Sequence, residues 1–317
     1  MKNILVLGGT GFVGRSVCER LAENGRGSGR IAVATRRLSH GRDVLPVPTV
    51  ELIETNVHDD AQLAGLVAGF DAVINLIAIL HGSAADFDRV HVALPRRLAA
   101  ACNAAGVRRL VHVSAIGVSA SAPSNYLRSK AAGEEVLKAA GLALTILRPS
   151  VIFGNDDRFM NVFAALQSIF PFVPLAGSES RFQPVWVEDV ASAVVTCIDR
   201  PETIGQTIEC VGPREYTLAE LVRAAGRWSG HERPVFALPG AAAQLQARLM
   251  ELLPGEPLMS RDNLLSMQVP NVASGTLPGL ASIDIAPAAL EGVASLYLGK
   301  VSGRARLERL RAGAGRG

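Results

Sequence analysis

The sequence predicts an α/β fold: a doubly wound parallel sheet followed by a smaller C-terminal lobe. Three observations indicate it. A glycine-rich turn joins an apolar strand to a helix at the start of the chain, and short apolar segments then alternate with Ala- and Leu-rich helical ones. After about residue 213 the composition shifts to Pro, Gly and Ala with weak periodicity. The chain has 317 residues, 49% of them hydrophobic, which is enough to bury a large core.

The first element is an apolar strand over residues 4–7 that runs into spaced glycines and then a helix. The spacing reads as GxxGxxG from Gly8 or as GxGxxG from Gly9, and both patterns share Gly11 and Gly14. Such glycines permit a tight turn and a close approach of phosphate, while the helix N-terminus offers free N–H groups and a positive dipole end. A Rossmann-type pyrophosphate site is therefore predicted. Its candidate contacts are Gly8, Thr10, Gly11, Phe12, Val13, Gly14 and Arg15.

The second predicted strand, residues 30–35, ends in Arg36 and Arg37. NAD-specific proteins carry an acid there, which binds the ribose hydroxyls. Guanidinium groups at this place, together with Arg15, suit a 2′-phosphate through bidentate hydrogen bonds. Arginines at a strand end are also ordinary surface residues. The pattern favours NADP(H) over NAD(H) as the cofactor.

Further apolar segments, at residues 50–53, 71–79, 109–113 and 144–147, are predicted strands of the same parallel sheet. The segments between them have helical composition, as in residues 94–102. Gly106 and Gly141 follow two of these helices and are candidate C-caps.

Chemistry is expected beyond the strand at residues 109–113, where Tyr126 and Lys130 stand four residues apart. On a helix the two side chains share a face. An ammonium group beside a phenol lowers the phenol pKa, so that the tyrosine can act as general acid or base at a carbonyl or carbinol. The lysine could also hold the cofactor ribose. The alternative is a residue pair that packs on a cofactor without chemistry.

With Asn75 after the fourth strand, these motifs resemble the short-chain dehydrogenase/reductase superfamily in its extended or atypical branch, which is NAD-dependent epimerase/dehydratase-like. Residues 148–154 resemble the loop that passes the nicotinamide in that branch, and residues 185–191 its later strand-to-helix turn. Residues 126–134, 148–159 and 258–263 resemble the family of NADPH-binding accessory subunits of respiratory complex I and their bacterial relatives. This implies a tightly held NADPH and a role near quinone metabolism or complex I.

The resemblance also implies the remaining site residues. The catalytic residues would be Tyr126, Lys130 and Ser114. The cofactor contacts outside the glycine turn would be Arg36, Arg37, Asn56, Val57, Leu76, Ile77, Ala78, Val113, Tyr126, Lys130, Pro149 and Val151. Two positions depart from the superfamily pattern. Ser114 stands earlier than the usual hydroxyl, with Ser119 as a substitute, and losing one polarising hydrogen bond costs on the order of a hundredfold in rate. Asn56 replaces the aspartate that binds adenine, and an amide can still bond the base.

No metal site is predicted, because the four cysteines and six histidines are scattered without paired ligand spacing. The cysteines lie in predicted helices or strands, which fits a reducing compartment. A formal net charge of +3 and 5% aromatic residues give neither a broad basic face nor a stacking platform for nucleic acid.

Residues 1–213 are predicted to form the NADP(H)-binding domain. Residues 214–299 are predicted to form a small lobe, to which residues 155–182 also contribute. Residues 300–317 are predicted to form a flexible basic tail. The tail is a solvated segment by default, with attraction to anionic lipid as the alternative. One helical face within residues 241–253 carries leucines. The favoured interpretation is that this face packs in the core, and the alternative is that it binds a partner or a membrane surface. The leucines are Leu245, Leu249, Leu252 and Leu253.

Lys2 is followed directly by the first strand, so no leader is expected, and the apolar stretch at residues 72–80 is too short to cross a bilayer. A cytoplasmic location is predicted, with peripheral contact at the inner face of the cytoplasmic membrane as the alternative. Two functions stay open. One is an NADP(H)-dependent carbonyl reductase, dehydrogenase or epimerase, with a quinone-related substrate implied by the resemblance. The other is a non-catalytic subunit that holds NADPH within a respiratory or quinone-biosynthetic complex.

Overall fold

Short strands and helices alternate through residues 2–25, 29–252 and 257–299, which are the residues described by this computed structural model. The strands are β1 (Ile4–Leu7), β2 (Ile31–Thr35), β3 (Val50–Glu54), β4 (Ala72–Asn75), β5 (Arg109–Val113), β6 (Ala143–Pro149), β7 (Ile152–Phe153), β8 (Val173–Leu175), β9 (Arg181–Phe182), β10 (Val185–Trp186), β11 (Thr207–Cys210), β12 (Tyr216–Thr217) and β13 (Val235–Ala237). The α-helices are α1 (Phe12–Asn24), α2 (Asp60–Val67), α3 (Ala84–Asp88), α4 (Leu94–Ala105), α5 (Asn125–Lys138), α6 (Met160–Ile169), α7 (Val187–Asp199), α8 (Leu218–Ser229), α9 (Gly240–Glu251), α10 (Arg261–Ser266) and α11 (Leu290–Leu298).

Seven of the strands form one sheet in the order β11-β6-β5-β4-β1-β2-β3, and every neighbouring pair is parallel. Strand β1 lies between β4 and β2, with Ile4 opposite both Ala72 and Ile31. The strand order reverses at this position, and ligands of open α/β sheets bind in the crevice at the carboxyl ends of the strands there. The fold places the glycine turn after β1 at this crevice.

Apolar cores lie on both faces of the sheet. In β1, Ile4 and Val6 pack in the core on one face, whereas Leu5 and Leu7 pack in the core on the other. Successive side chains of a strand point to opposite faces, so a strand buried on both faces has to be apolar throughout. Helices α1 and α7 cover the first face, and α2 and α4 the second. The predicted doubly wound Rossmann-type sheet is confirmed.

Some predicted boundaries differ from the observed ones. The strand predicted over residues 71–79 ends at Asn75, because the Asn75 side chain oxygen accepts the Ile77 N–H at 3.2 Å in place of a sheet bond. Gly106 is the left-handed C-cap of α4, with φ 72°. Gly141 is also left-handed, with φ 68°, but it lies beyond Ala139, the C-cap of α5. Of the seven strands in the large sheet, β11 was not predicted from the sequence.

The smaller lobe has an apolar core of its own. Met160 of α6 and Val173 of β8 pack there with Leu218 of α8 and Leu290 of α11. The chain does not stay in this lobe after residue 213, because residues 280–283 return to the core between the sheet and α7. The domain boundary inferred from composition stays a prediction.

Helix α9 exposes the leucines that the sequence assigned to a core-packing face. Their exposed fractions are 59% for Leu245, 57% for Leu249 and 80% for Leu252. Ala243 and Ala247 are buried instead, because small side chains let the helix approach β8 closely enough for the Gln246 side chain to donate to the Pro174 carbonyl at 3.2 Å. The prediction of core packing is therefore wrong for these three leucines.

Leu253 and the tail at 300–317 lie outside the described residues. Among the residues that are described, no helix combines the length and apolar character needed to cross a membrane. The same residues contain no group of three or more His, Cys, Asp or Glu side chains that could hold a metal ion. All four cysteines are buried with free thiols, in α1, α4, α7 and β11.

Candidate functional site

Side chains would not fit at Gly8 in the turn after β1 or at Gly14 in the first turn of α1. Gly8 has φ 84°, and a Cβ added there would lie 3.2 Å from the Ile77 nitrogen. A Cβ on Gly14 would lie 2.3 Å from the Gly8 oxygen and 2.5 Å from the Gly9 Cα. The first turn of α1 therefore packs directly on the backbone of the loop, which leaves the loop's outer side open to a ligand.

The N-terminus of α1 has the properties of an anion site. Its N-cap is the exposed Gly11, no side chain caps the helix, and the first turn contains no acidic residue. Phe12 lies beside the loop that follows β7, where a Cβ on Gly154 would come within 3.1 Å of the Phe12 ring. The free N–H groups and the positive dipole end of the helix fit a pyrophosphate.

The three arginines predicted at the 2′-phosphate differ in their surroundings. Arg36 and Arg37 are exposed after β2, and neither guanidinium has a hydrogen bond or ion pair with other described residues. Arg15 is instead held between Asp43, at 3.4 Å, and Asp156, at 3.2 Å. The uncommitted positive charge at this end of the crevice therefore belongs to Arg36 and Arg37.

The predicted adenine contacts follow β3 and β4. Asn56 is exposed, and its side chain oxygen accepts the His58 N–H at 3.1 Å, which leaves its amide N–H₂ free to bond a base. Val57 beside it is buried. Leu76 and Ile77 lie directly against Gly8, and Ala78 after them is exposed.

Helix α5 carries Tyr126 and Lys130, and it is capped from two directions. The Ser124 hydroxyl accepts the Leu127 N–H at 3.2 Å. The carboxylate of Asp262, which belongs to α10 of the small lobe, accepts the N–H groups of Asn125 at 2.7 Å and Tyr126 at 3.0 Å. Asp262 was not singled out from the sequence. Residues 258–263 showed only a family likeness, and the pairing spans more than a hundred residues.

Lys130 is buried, with 2% of its surface exposed, and its ammonium donates to the Val113 carbonyl at 2.9 Å. Among the described residues this is its only hydrogen bond. Burial lowers the pKa of Lys130 to about 8. Because an ammonium group has three donors, two remain available for a ligand in the crevice, and the ribose hydroxyls of a dinucleotide are suitable acceptors.

The Tyr126 ring packs against Phe87 and His91, at ring-centre distances of 6.1 and 5.6 Å. Burial raises the pKa of Tyr126 to about 12. The sequence predicted a lowered pKa for Tyr126, and that prediction is wrong. Desolvation dominates, and the Lys130 ammonium bonds the Val113 carbonyl. The phenol is therefore protonated at neutral pH.

His91 connects the segment after β4 to α5. Its Nε2 accepts the Ile79 N–H at 3.1 Å, so the ring proton is on Nδ1 and is directed to the Ser129 hydroxyl at 2.9 Å. Ser129 in turn donates to the Tyr126 carbonyl at 2.9 Å. Burial lowers the pKa of His91 to about 3, which keeps the ring neutral. His91 fixes the tyrosine's backbone, a role that its sequence position does not indicate.

Ser114 is buried, with 5% of its surface exposed, and its hydroxyl has no hydrogen-bond partner among the described residues. Buried hydroxyls are normally paired, so this group fits a ligand that completes it. Ser119, the suggested substitute, is exposed and bonds Ser121 at 3.1 Å. Ile116 is buried and apolar further along the same segment. The available hydroxyl on this segment is therefore Ser114.

A segment of the small lobe also holds the loop that follows β6. The side chain oxygen of Asn271 accepts the Ser150 hydroxyl at 2.7 Å and the Val151 N–H at 2.9 Å. Two residues earlier in the same segment, Val269 packs against the apolar cluster around Tyr126. Pro149 is buried and Val151 partly buried, so Asn271 fixes the predicted nicotinamide contacts from a distant part of the sequence.

Removing the Asp262 carboxylate is expected to destabilise the protein. Asp262→Ala leaves the Asn125 and Tyr126 N–H groups without acceptors at the start of α5. Loss of a helix cap costs about 1–2 kcal/mol, and Asp262→Asn should cost less because it keeps one acceptor. Urea denaturation measures the free energy of unfolding. Asp199→Ala, which removes an exposed ion pair with Lys2, is the control and should change it by less than about 0.5 kcal/mol. Equal effects of the two alanine variants would contradict the capping role.

Comparison with known proteins agrees with this geometry. A family model described as NAD(P)H-binding matches residues 8–201. The chain is 33% identical to NADH dehydrogenase (ubiquinone) 1 alpha subcomplex subunit 9, mitochondrial, of Mus musculus, over 90% of this chain and 77% of that protein. It is 29% identical to the ceramide reductase of Caulobacter vibrioides, over 74% of this chain and 73% of that protein.

Among solved structures, UDP-glucose 4-epimerase of Thermotoga maritima superposes with a TM-score of 0.69 at 18% identity, over 93% of this chain and 97% of that one. At that identity the likeness concerns the fold alone. Together the comparisons confirm the predicted superfamily, its epimerase-like fold and the likeness to the complex I subunit.

Proposed function

The chain belongs to the NAD(P)H-binding family, and we propose that it is an NADPH-dependent reductase acting on the carbonyl group of an apolar substrate. The observation that carries this proposal is the pair on α5: a protonated Tyr126 phenol, and a buried Lys130 ammonium with two uncommitted donors. Among the described residues the ammonium bonds only a carbonyl, and the nearby Glu134 carboxylate is ion-paired with Arg148, so the remaining donors of this buried cation are best explained by a ligand that they bind.

NADPH is favoured over NADH because of the charges at the end of β2. Arg36 and Arg37 are exposed and uncommitted there, and their guanidinium groups suit a 2′-phosphate. The open N-terminus of α1, and the close packing of its first turn on the glycine turn at Gly14, support a pyrophosphate between this end and Tyr126.

The residues of the crevice have distinct roles in this reaction. When bound, the nicotinamide supplies a hydride to the carbonyl carbon. Tyr126 donates its phenolic proton to the carbonyl oxygen, which receives the electron pair of the C=O π bond while the C–O single bond stays intact. Lys130 holds the ribose, and the Ser114 hydroxyl offers a hydrogen bond to the ligand. A phenol whose pKa is raised to about 12 is protonated at neutral pH, and proton donation to a carbonyl oxygen requires that state.

The surroundings of Tyr126 favour an apolar substrate. Phe87 lies at the edge of its ring, and Val118, Leu127 and Val269 belong to the apolar cluster on which Tyr126 packs. A relative in Caulobacter vibrioides is a ceramide reductase, and quinone-type compounds share the apolar character. Both substrate types belong in the first screen.

A second candidate function is a subunit that retains NADPH without turning it over. Its specific support is Ile116, because an apolar side chain is buried where the superfamily's catalytic hydroxyl is expected. The relatives that are complex I subunits are in keeping with this role, and with a respiratory or quinone-biosynthetic complex as partner. Cofactor exchange distinguishes the two candidates, because turnover requires exchange.

The test is to purify the protein, identify the nucleotide it retains, and chase that nucleotide with excess NADPH or NADH. For a reductase we expect exchange within seconds, tighter binding of NADPH than of NADH, and NADPH oxidation by long-chain ketones or quinones. Arg36→Ala should weaken NADPH binding and leave NADH binding unchanged. Retention for hours, with no oxidation by any carbonyl compound, would overturn the reductase proposal and support the second candidate.

The pH dependence should follow Lys130. Its pKa of about 8 means that the ammonium is charged below pH 8 and becomes neutral above it. NADPH affinity, measured by nicotinamide fluorescence, should therefore be highest near neutral pH and fall as the pH rises through 8. Alcohol oxidation should instead rise with pH, because it needs the phenolate of Tyr126. An affinity that stays constant up to pH 10 would contradict the role of Lys130 at the ribose.

A further inference from the structure

Three polar side chains of α5 stand one turn apart along one face of the helix. Tyr126 and Lys130 are followed four residues later by Glu134, whose exposed fraction is 0%. Residues at this spacing are neighbours on a helix, with their Cβ atoms about 5–6 Å apart. The first two belong to the proposed catalytic site, and the buried carboxylate has no role in it so far.

The Glu134 carboxylate is bound by Arg148 of β6. The Arg148 guanidinium donates from Nε to one carboxylate oxygen at 2.9 Å and from Nη2 to the other at 2.6 Å, which makes the pair bidentate. Lys138, one further turn along α5, lies 3.5 Å from the same carboxylate and 2.8 Å from the exposed Glu135. A buried ion pair often contributes no more stability than apolar side chains of similar volume, so stability alone does not account for this one.

The groups that surround the Lys130 ammonium are neutral, apart from Glu134. Burial, and then the charge of Lys130, lowers the pKa of His91 and of His112 on β5, so both rings are uncharged. The Tyr126 phenol is protonated. Burial lowers the pKa of Lys130 to about 8, and the charge of Glu134 acts in the opposite direction. Among the described residues, no other acidic side chain raises the pKa of Lys130.

Close packing fixes the position of Glu134 relative to Lys130. A Cβ added to Gly133 would lie 1.9 Å from the His91 carbonyl oxygen, so this turn of α5 rests directly on the backbone of the π-helical turn that carries His91. Arg148 joins the same turn of α5 to β6. Glu134 is therefore held where its charge acts on Lys130, although its oxygens bond Arg148.

We propose that Glu134 acts through Lys130: its carboxylate keeps the buried ammonium charged, while Arg148 holds that carboxylate away from the ammonium's donors. The division matters because a carboxylate bonded directly to Lys130 would occupy the donors that the ribose hydroxyls need. Glu134 and Arg148 are thus positioning residues and do not touch the ligand. The charge of Lys130 is a property of the protein without cofactor, and only its effect on NADPH affinity rests on the proposed function.

Lysine side chain NMR tests the role of Glu134 on the full-length protein without NADPH. The chain has four lysines, Lys2, Lys130, Lys138 and Lys300, so labelling lysine Cε with ¹³C gives few signals. The signal that is missing from Lys130→Met belongs to Lys130. In wild type it should titrate at about pH 8. In Glu134→Gln it should titrate about one pH unit lower, because a negative charge one helical turn away is removed.

A double variant separates this effect from a loss of folding. Glu134→Gln leaves the Arg148 guanidinium without its partner, which is costly in a buried place. Glu134→Gln with Arg148→Met removes both charges and is expected to fold. Its Lys130 signal should again titrate below that of wild type, because Glu134 raises the pKa of Lys130. Glu135→Gln is the matched control, since it removes an exposed carboxylate at the next position of α5 and should leave the titration of Lys130 unchanged.

NADPH titrations on the same variants connect the charge of Lys130 to the crevice. The pH at which NADPH affinity falls should move downward together with the Lys130 titration in both Glu134 variants. The role of Glu134 is overturned if Lys130 titrates at the same pH in wild type and in the double variant, or if Glu135→Gln lowers that pH as much. If the titration of Lys130 moves and NADPH affinity does not follow it, Glu134 keeps its role, and the contact of Lys130 with the ribose is what fails.

Discussion

Gly14→Ala is expected to remove most of the NADPH affinity and to destabilise the sheet domain. The added Cβ would lie 2.3 Å from the Gly8 oxygen, 2.5 Å from the Gly9 Cα and 2.7 Å from the Gly9 carbonyl carbon. All three are backbone atoms, so no side chain rotation relieves the contact. Either α1 moves away from the sheet or the turn after β1 changes its path.

Both movements disturb the pyrophosphate site. If the turn shifts, the N–H groups of the first turn of α1 no longer point at the position of the phosphates. Losing two hydrogen bonds to a charged group, at about 1.5 kcal/mol each, corresponds to a loss of about a hundredfold or more in affinity. Overpacking at the helix–sheet contact adds about 1–3 kcal/mol to the loss of folding stability. Fluorescence titration with NADPH and urea denaturation measure the two effects separately.

Gly292→Ala is the matched control. Gly292 also lies in a helix, α11, and a Cβ added there meets nothing within 4 Å. Alanine at such a position should leave NADPH binding unchanged and stabilise the protein by about 0.5–1 kcal/mol. A Gly14→Ala variant with wild-type affinity would show that the turn after β1 does not bind the cofactor's phosphates.

The contrast between these glycines shows what could be predicted from the sequence. The strand, turn and helix over residues 4–24 are encoded locally, in side chain polarity and in glycine spacing, so both the fold and the site at this position could be predicted. Strand β5 was predicted to the residue for the same reason. Strand β11 was missed because it is a four-residue segment that pairs with β6, about sixty positions earlier.

The interactions that fix α5 and the loop after β6 are not local. Asp262 and Asn271 act on residues more than a hundred positions away, and no pattern around either residue indicates its partner. Helix α9 illustrates a different limit. Its spacing correctly indicates which leucines share a face, but it does not indicate whether that face points inward, and in the structure Ala243 and Ala247 on the other face are buried instead. The pKa of Tyr126 depends on burial, which the spacing of Tyr126 and Lys130 does not contain.

Tyr126→Phe decides between the two candidate functions. The variant keeps the ring that packs on Phe87 and His91 and removes only the hydroxyl, so folding and NADPH binding should be unchanged. If Tyr126 is the general acid, NADPH oxidation by the carbonyl substrate should fall by about 10²–10⁴-fold. Tyr216→Phe is the control, because it removes a hydroxyl bonded to Glu291 at 2.7 Å within the small lobe. It should cost about 1 kcal/mol of stability without a comparable loss of rate.

The result also depends on which property of the Tyr126 variant changes. A fall in kcat with an unchanged Kd for NADPH assigns proton donation to the hydroxyl, because the hydroxyl then acts only in the transition state. If Tyr126→Phe oxidises NADPH as fast as wild type, the phenol is not the acid. If neither protein oxidises NADPH and both retain it for hours, the crevice binds the cofactor but does not catalyse its oxidation. The raised pKa of Tyr126 and the buried Ile116 would be in keeping with that loss of activity. The dinucleotide would then stabilise the folded protein by binding to it and not to the unfolded chain. Its removal should lower the melting temperature of wild type and Tyr126→Phe equally.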